Sequence, residues 1–186
     1  MHSIPRPVWE GLTSQEHEYQ YNPQCAVPDF AKYRARREQP NSDALNQLRR
    51  VADQAYGPHR LNTVDVYPVE QAHAPVHVFF HGGYWRAQDK QNFAFMAAPL
   101  VAAGVCTVIV NYPLCPEVTL DGVVDSALGA LAWTAQHIDQ LGGDPERITV
   151  SGHSAGAHLC AAALATDWTA RGLSASLIKG AVMILS

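Results

Sequence analysis

Charge is scarce in this sequence. Only 16% of its 186 residues are Asp, Glu, Lys or Arg, and 13 basic residues against 17 acidic ones leave a net charge of -4. That balance offers no electrostatic footprint for nucleic acid or an anionic membrane surface. The one local basic cluster, Lys32, Arg34, Arg36 and Arg37, reads as a solvated helix face. Long apolar runs are missing too. No stretch reaches the length of a bilayer span, and the opening Met-His-Ser-Ile-Pro-Arg-Pro lacks the apolar core of a signal peptide, so a cytoplasmic protein is expected. Four cysteines, Cys25, Cys106, Cys115 and Cys160, show no C-x-x-C spacing. They read as reduced thiols in or near buried elements, with no metal site and no disulfide framework. Internal repeats and low-complexity tracts are absent.

What is present is an alternation of apolar runs and amphipathic stretches, the pattern of a doubly wound, mostly parallel α/β domain. Residues 1–40, rich in Pro, Tyr, Gln and charge, are expected to form a lid-like or wrapping extension with short helices, and 41–186 the N-terminal portion of one α/β domain. From Ser42 to Ala55 the positions Leu45, Leu48, Ala52 and Ala55 share one helical face, which predicts a helix stopped by Gly57. Strands are predicted at Val64–Val66, Val76–Phe80, Cys106–Val110, Ile148–Ser151 and, as a buried strand, Ala181–Leu185. A helix from about Asn92 to Ala103 should break or kink at Pro99. Val124, Leu128, Leu131, Ala135 and Ile138 give the 3.6-residue period of a longer one.

Two glycine motifs carry chemistry. Gly152-His153-Ser154-Ala155-Gly156 is a G-x-S-x-G pentapeptide between the apolar strand at 148–151 and an alanine-rich helix from about Ala155 to Thr166. In that context it reads as a nucleophile elbow, a turn so sharp that a Cβ at either glycine would collide with neighbouring backbone while Ser154 projects its hydroxyl. Upstream, His81-Gly82-Gly83-Tyr84-Trp85 ends the strand Val76–Phe80. Paired glycines let backbone N–H groups approach a developing oxyanion, and the N–H groups of Gly83, Tyr84 and Ala155 are the expected donors. His81 is read as a ring that braces this loop, and His153 as an elbow residue.

The pairing of His-Gly-Gly-Tyr-Trp with Gly-His-Ser-Ala-Gly resembles the kynurenine formamidase (arylformamidase) branch of the α/β-hydrolase superfamily, whose first motif is H-G-G-x-W. Tyr21-Asn22-Pro23, Val27-Pro28-Asp29-Phe30, Tyr56-Gly57-Pro58, Asn111-Tyr112-Pro113-Leu114-Cys115-Pro116-Glu117 and Leu141-Gly142-Gly143-Asp144-Pro145 fit the same branch. Related carboxylesterases usually place a third glycine where Tyr84 stands. The resemblance implies an α/β-hydrolase fold and a serine hydrolase without metal or organic cofactor. Ser154 would attack the formyl carbonyl of an N-formylkynurenine-like aromatic formamide and pass through an acyl-enzyme. Two alternatives stay open: a carboxylesterase with small acyl preference, and a non-catalytic ligand-binding relative of the fold.

A serine also needs a base, and in this fold the order is Ser, then Asp or Glu, then His. After Ser154 the sequence offers one carboxylate, Asp167, and one imidazole, His158. Asp167 is thirteen residues on, roughly 20 Å along a helix. His158, one turn on, is expected to point into or along the core. The resemblance therefore implies that acid and base lie beyond residue 186, and that the chain is incomplete at its C-terminus. The remainder of the domain is expected as a partner, with a separate chain left open. The other expected partner is a small formamide or ester, and homo-oligomerisation stays open.

Overall fold

A computed structural model describes residues 8–184, in two compact units divided after Gln39. The first consists of short helical pieces: a 3-10 turn at Val8–Gly11, α1 (Ser14–Tyr21), α2 (Pro23–Ala26) and α3 (Phe30–Ala35). Local signals start them. Thr13 caps α1 by accepting from the Glu16 N–H while Glu16 accepts from the Thr13 N–H, a reciprocal pair that satisfies two orphan helix-end donors. Asn22 caps α2 in the same sense, accepting from Gln24. Cys25 is exposed, contrary to the expectation that all four cysteines lie in or near buried elements; all four are free thiols.

α4 (Glu38–Gln47) spans the division, and the second unit continues with a six-stranded sheet: β1 (Val51–Ala55), β2 (Thr63–Tyr67), β3 (Ala74–Phe80), β4 (Cys106–Val110), β5 (Gly143–His153) and β6 (Ile178–Ile184), in the order β1-β2-β4-β3-β5-β6. The predicted helix from Ser42 to Ala55 is thus corrected, since its second half is a strand paired antiparallel with β2. Ladder hydrogen bonds to β2 outweigh a helical spacing of small residues. β2 also runs antiparallel to β4, whereas β3–β4, β3–β5 and β5–β6 are parallel. The crossovers are α5 (Ala97–Ala102), preceded by a 3-10 stretch at Lys90–Met96, and α6 (Leu120–His137); α7 (Ala155–Leu164) follows β5. The helix predicted at 92–103 does divide, but at Met96–Ala97. Pro99 is the third residue of α5, a first-turn position where its missing N–H costs nothing.

The two faces of the sheet bury different sets. Val76, Val78 and Phe80 of β3, with Cys106, Val108, Val110, Ile148 and Val150, pack on Val123, Ala127 and Leu131 of α6 and Leu159, Cys160 and Ala163 of α7. Each such side chain contributes about 1.5–3 kcal/mol for the larger aliphatics. On the opposite face Phe79, Ile109 and Tyr67 meet Phe93, Ala94, Ala97 and Ala44. Strands covered on both faces read as the continuous apolar runs that marked them in the sequence. β6 departs from its expected burial: Val182, Met183 and Ile184 are exposed, and the expected Leu185 lies outside the described residues. Among the described residues no helix is long and apolar enough to cross a membrane.

Topology places the site. From β3 the chain crosses outward to β4, and from β5 to β6 on the other side, so adjacent strands β3 and β5 send their connections in opposite directions. A crevice outside the carboxyl ends of such a strand pair is where open α/β sheets hold ligands. Both glycine motifs sit there.

Candidate active site

Ser154 occupies the corner between β5 and α7 with φ 53° and ψ -114°, a sparsely populated conformation that costs about 1–3 kcal/mol. Its backbone is pinned on both sides: the Ser154 N–H donates to the Ile184 carbonyl (2.8 Å), and its own carbonyl accepts from Ala157 (2.9 Å). The flanking glycines are required by contact. A Cβ on Gly152 would lie 2.2 Å from the Gly156 carbonyl oxygen, and one on Gly156 would lie 2.0 Å from the Phe80 carbonyl oxygen. The second figure also shows that the start of α7 rests directly on the end of β3, where the other motif begins.

That motif turns through three successive residues of positive φ, Gly83 (123°), Tyr84 (56°) and Trp85 (57°). Several of its carbonyls are engaged: His81 O accepts from the Tyr112 hydroxyl (2.6 Å), Gly83 O from the Arg86 and Ala87 N–H groups, and Trp85 O from the Cys115 N–H (2.8 Å). The loop abuts the elbow, for a Cβ on Gly82 would lie 2.8 Å from the His153 carbonyl oxygen and 3.4 Å from Ser154 Cβ. Among the described residues, the N–H groups of Gly83, Tyr84 and Ala155 have no hydrogen-bond partner, and none bonds the Ser154 hydroxyl. The indole N–H of Trp85 is buried and likewise unpartnered among them.

His81 is fully buried between the rings of Tyr112 (4.3 Å) and Phe93 (5.6 Å), both stacked on it. Gly82 O lies 2.7 Å from its Nδ1 and Asn111 Oδ1 3.3 Å from its Nε2, so a neutral ring donates to one of two acceptors at a time. Burial holds its pKa below the ordinary histidine value, although those acceptors and Asp89 pull the other way. His158 corrects an expectation: it is exposed, its ring set edge-on to Trp85 at 5.4 Å, and it does not enter the core. Exposed Asp167 lies past the end of α7, where it accepts from Thr169 and Ala170 as a turn cap. Two buried thiols are inert, since burial pushes Cys106 up to about 11 and Cys160 up to about 12. The contacts that the sequence did not disclose are those of Asn111 and Lys90 beneath the loop. Their sequence signals are the place of Asn111 directly after the apolar run Cys106–Val110, at the start of Asn-Tyr-Pro-Leu-Cys-Pro-Glu, and a lysine beside Asp89.

A second histidine is neutral in the fold. His77 on β3 meets the hydroxyls of Thr149 (2.9 Å) and Ser151 (2.6 Å), and burial lowers its pKa too. Groups whose folded pKa lies below the unfolded one stabilise fully above the unfolded value, about 6.5 for histidine, and lose that contribution as pH falls through the folded value. The urea midpoint should therefore decline from about pH 7 to pH 5. His77→Gln should shallow the decline; an identical slope in the variant would contradict this.

A family model described as the alpha/beta hydrolase fold matches residues 77–186. The chain belongs to the α/β-hydrolase fold family. This hydrolase-fold chain is 30% identical over 184 residues to a kynurenine formamidase of Danio rerio, covering 95% of the chain and 61% of that protein. It is 34% identical over 146 residues to the carboxylesterase NlhH of Mycobacterium tuberculosis, covering 75% of the chain and 46% of the relative. Among solved structures it is similar to EstE1, a thermophilic carboxylesterase from a metagenomic library, with a TM-score of 0.63 and 26% identity over 85% of the chain and 55% of EstE1. The chain thus spans less than two thirds of the relatives it matches.

Proposed function

We propose that the protein is a serine hydrolase of the kynurenine formamidase type. The observation that carries this reading is Ser154, strained at a corner where Gly152 packs on Gly156 and Gly156 on the end of β3. In the proposed reaction Ser154 Oγ attacks the carbonyl of an N-formyl aromatic amine, its proton going to a base. Collapse of the tetrahedral intermediate breaks the C–N bond, and the amine leaves with that proton. Water then attacks the formyl ester on Ser154 and releases formate. The N–H groups of Gly83, Tyr84 and Ala155, unpartnered among the described residues, are assigned to the oxyanion. Acid and base are assigned to polypeptide outside residues 1–186, because His158 is engaged with Trp85 and Asp167 caps a turn.

A formyl substrate is favoured by the match to a kynurenine formamidase over 95% of the chain. In this reading Tyr84, half exposed beside the paired glycines, narrows the acyl side and rewards the smallest acyl group through the transition state, whereas Trp85 packs against the core. The second reading, a carboxylesterase, draws on the 34% identity to NlhH. The full-length protein should show a higher kcat/KM for N-formylkynurenine or a formyl anilide than for p-nitrophenyl butyrate. The reverse ranking, by about tenfold or more, selects the esterase.

The oxyanion assignment has its own test. A Cβ on Gly83 would lie 2.2 Å from the Ala87 carbonyl oxygen, and its φ of +123° disfavours any side chain. Gly83→Val should lower kcat by about 10² or more, the effect of losing one donor. Full activity in this variant would place the donors elsewhere.

A further inference from the structure

The loop that carries the proposed oxyanion donors is a strained turn, and something outside it must hold its shape. Tyr84 and Trp85 both have left-handed backbone, φ 56° and 57°, which persists only where the surroundings over-determine it. We propose that Asn111 is the positioning residue for this loop: its single side-chain amide ties the loop's start, at His81, to its end, at Asp89 and Lys90. This inference rests on the serine hydrolase reading above.

Asn111 follows β4 directly and is 3% exposed. Its Nδ2 donates to Asp89 Oδ2 at 2.7 Å, while its Oδ1 accepts from the Lys90 N–H at 3.4 Å and lies 3.3 Å from His81 Nε2. The amide cannot be reversed without setting an oxygen against the Asp89 carboxylate and an NH2 against the Lys90 N–H, so Nδ2 is committed to Asp89 and Oδ1 is shared by Lys90 and His81. Asn111 is anchored in turn, its N–H donating to Thr63 O (2.9 Å) and its carbonyl accepting from the Tyr56 hydroxyl (2.6 Å). The Lys90 end is equally fixed. Its ammonium, with the side chain 2% exposed, bonds Asp65 (2.7 Å) and Asp53 (2.5 Å). Its pKa is raised because those bonds together outweigh the burial that alone would lower it.

The chemistry follows from what the loop must do. Oxyanion donors gain strength only where charge develops, so a small displacement weakens the transition state more than the bound substrate. Loss of the Asn111 tie should therefore appear in kcat and not in KM, whereas a purely structural residue would change the amount and stability of folded protein.

The test uses full-length protein, with active sites titrated by fluorophosphonate. Asn111→Leu should lower kcat on a formyl anilide by about tenfold or more with KM within about threefold, and slow labelling of Ser154 in parallel. Asp89→Ala should show the same pattern. Asp89→Asn keeps an acceptor for Asn111 Nδ2 and should retain most of the wild-type kcat. An Asn111→Leu protein with lowered Tm but wild-type kcat per titrated site overturns the proposal. If that variant does not fold, the Asp89 pair decides, and equal kcat in Asp89→Ala and Asp89→Asn overturns it. A wild type that is neither labelled nor active on formamide or ester sinks the hydrolase reading and this one with it. An active wild type with unimpaired variants sinks this one alone.

Discussion

Ser154→Ala should leave the fold intact and lower kcat by about 10⁶, the scale seen when the nucleophile of a serine hydrolase is removed. The substitution deletes one oxygen from a residue that keeps its backbone bonds to Ile184 and Ala157. Both residues carry a Cβ, so the cost of φ 53° is unchanged. What is lost is the covalent route, leaving about 10³–10⁴-fold catalysis over water from the oxyanion donors and substrate binding. Labelling by a fluorophosphonate should vanish with it. Near-native turnover in the variant would remove Ser154 from the chemistry, and an inactive wild type with tight ligand binding would favour a non-catalytic relative of the fold.

Gly156→Ala should have the largest effect on stability. The added Cβ would sit 2.0 Å from the Phe80 carbonyl oxygen and 2.8 Å from that of His81. Both obstacles are backbone, so no side chain can swing aside, and α7 must lift from β3. The expected cost is about 3 kcal/mol or more, beyond ordinary overpacking, with the Ser154 corner distorted along with it. Gly129→Ala provides the contrast. In α6 its Cβ would meet only the Tyr56 ring, at 3.7 Å, an ordinary contact. There the helix propensity of alanine should stabilise by about 0.5–1 kcal/mol. Urea denaturation of the two variants measures both; equal midpoints would mean that the elbow tolerates a methyl group.

The motifs were legible because they depend on local backbone geometry that few residue types supply. Gly152, Ser154 and Gly156 lie within five residues, and the turn they build is visible from spacing alone. Buried parallel strands such as Cys106–Val110 were legible for a related reason, their unbroken apolar runs. Val51–Ala55 was not, since its small and polar residues take strand form through pairing with β2, a partner that local spacing does not reveal. His158 was misjudged because a helical position one turn past Ser154 does not say which side of α7 faces the loop, and Trp85 occupies that side. The least legible part is the support beneath the oxyanion loop. Lys90 reaches Asp53 across 37 residues and Asp65 across 25, and Tyr56 reaches Asn111 across 55, contacts that exist only once the sheet has formed.

Peptide mapping of the full-length protein after reaction with a fluorophosphonate tests the central claim most directly. One adduct is expected, on the peptide that contains Ser154, with hydrolysis of the formyl substrate lost in proportion to its occupancy. An adduct on another residue, or full hydrolytic activity with Ser154 completely modified, would contradict the assignment of Ser154 as nucleophile.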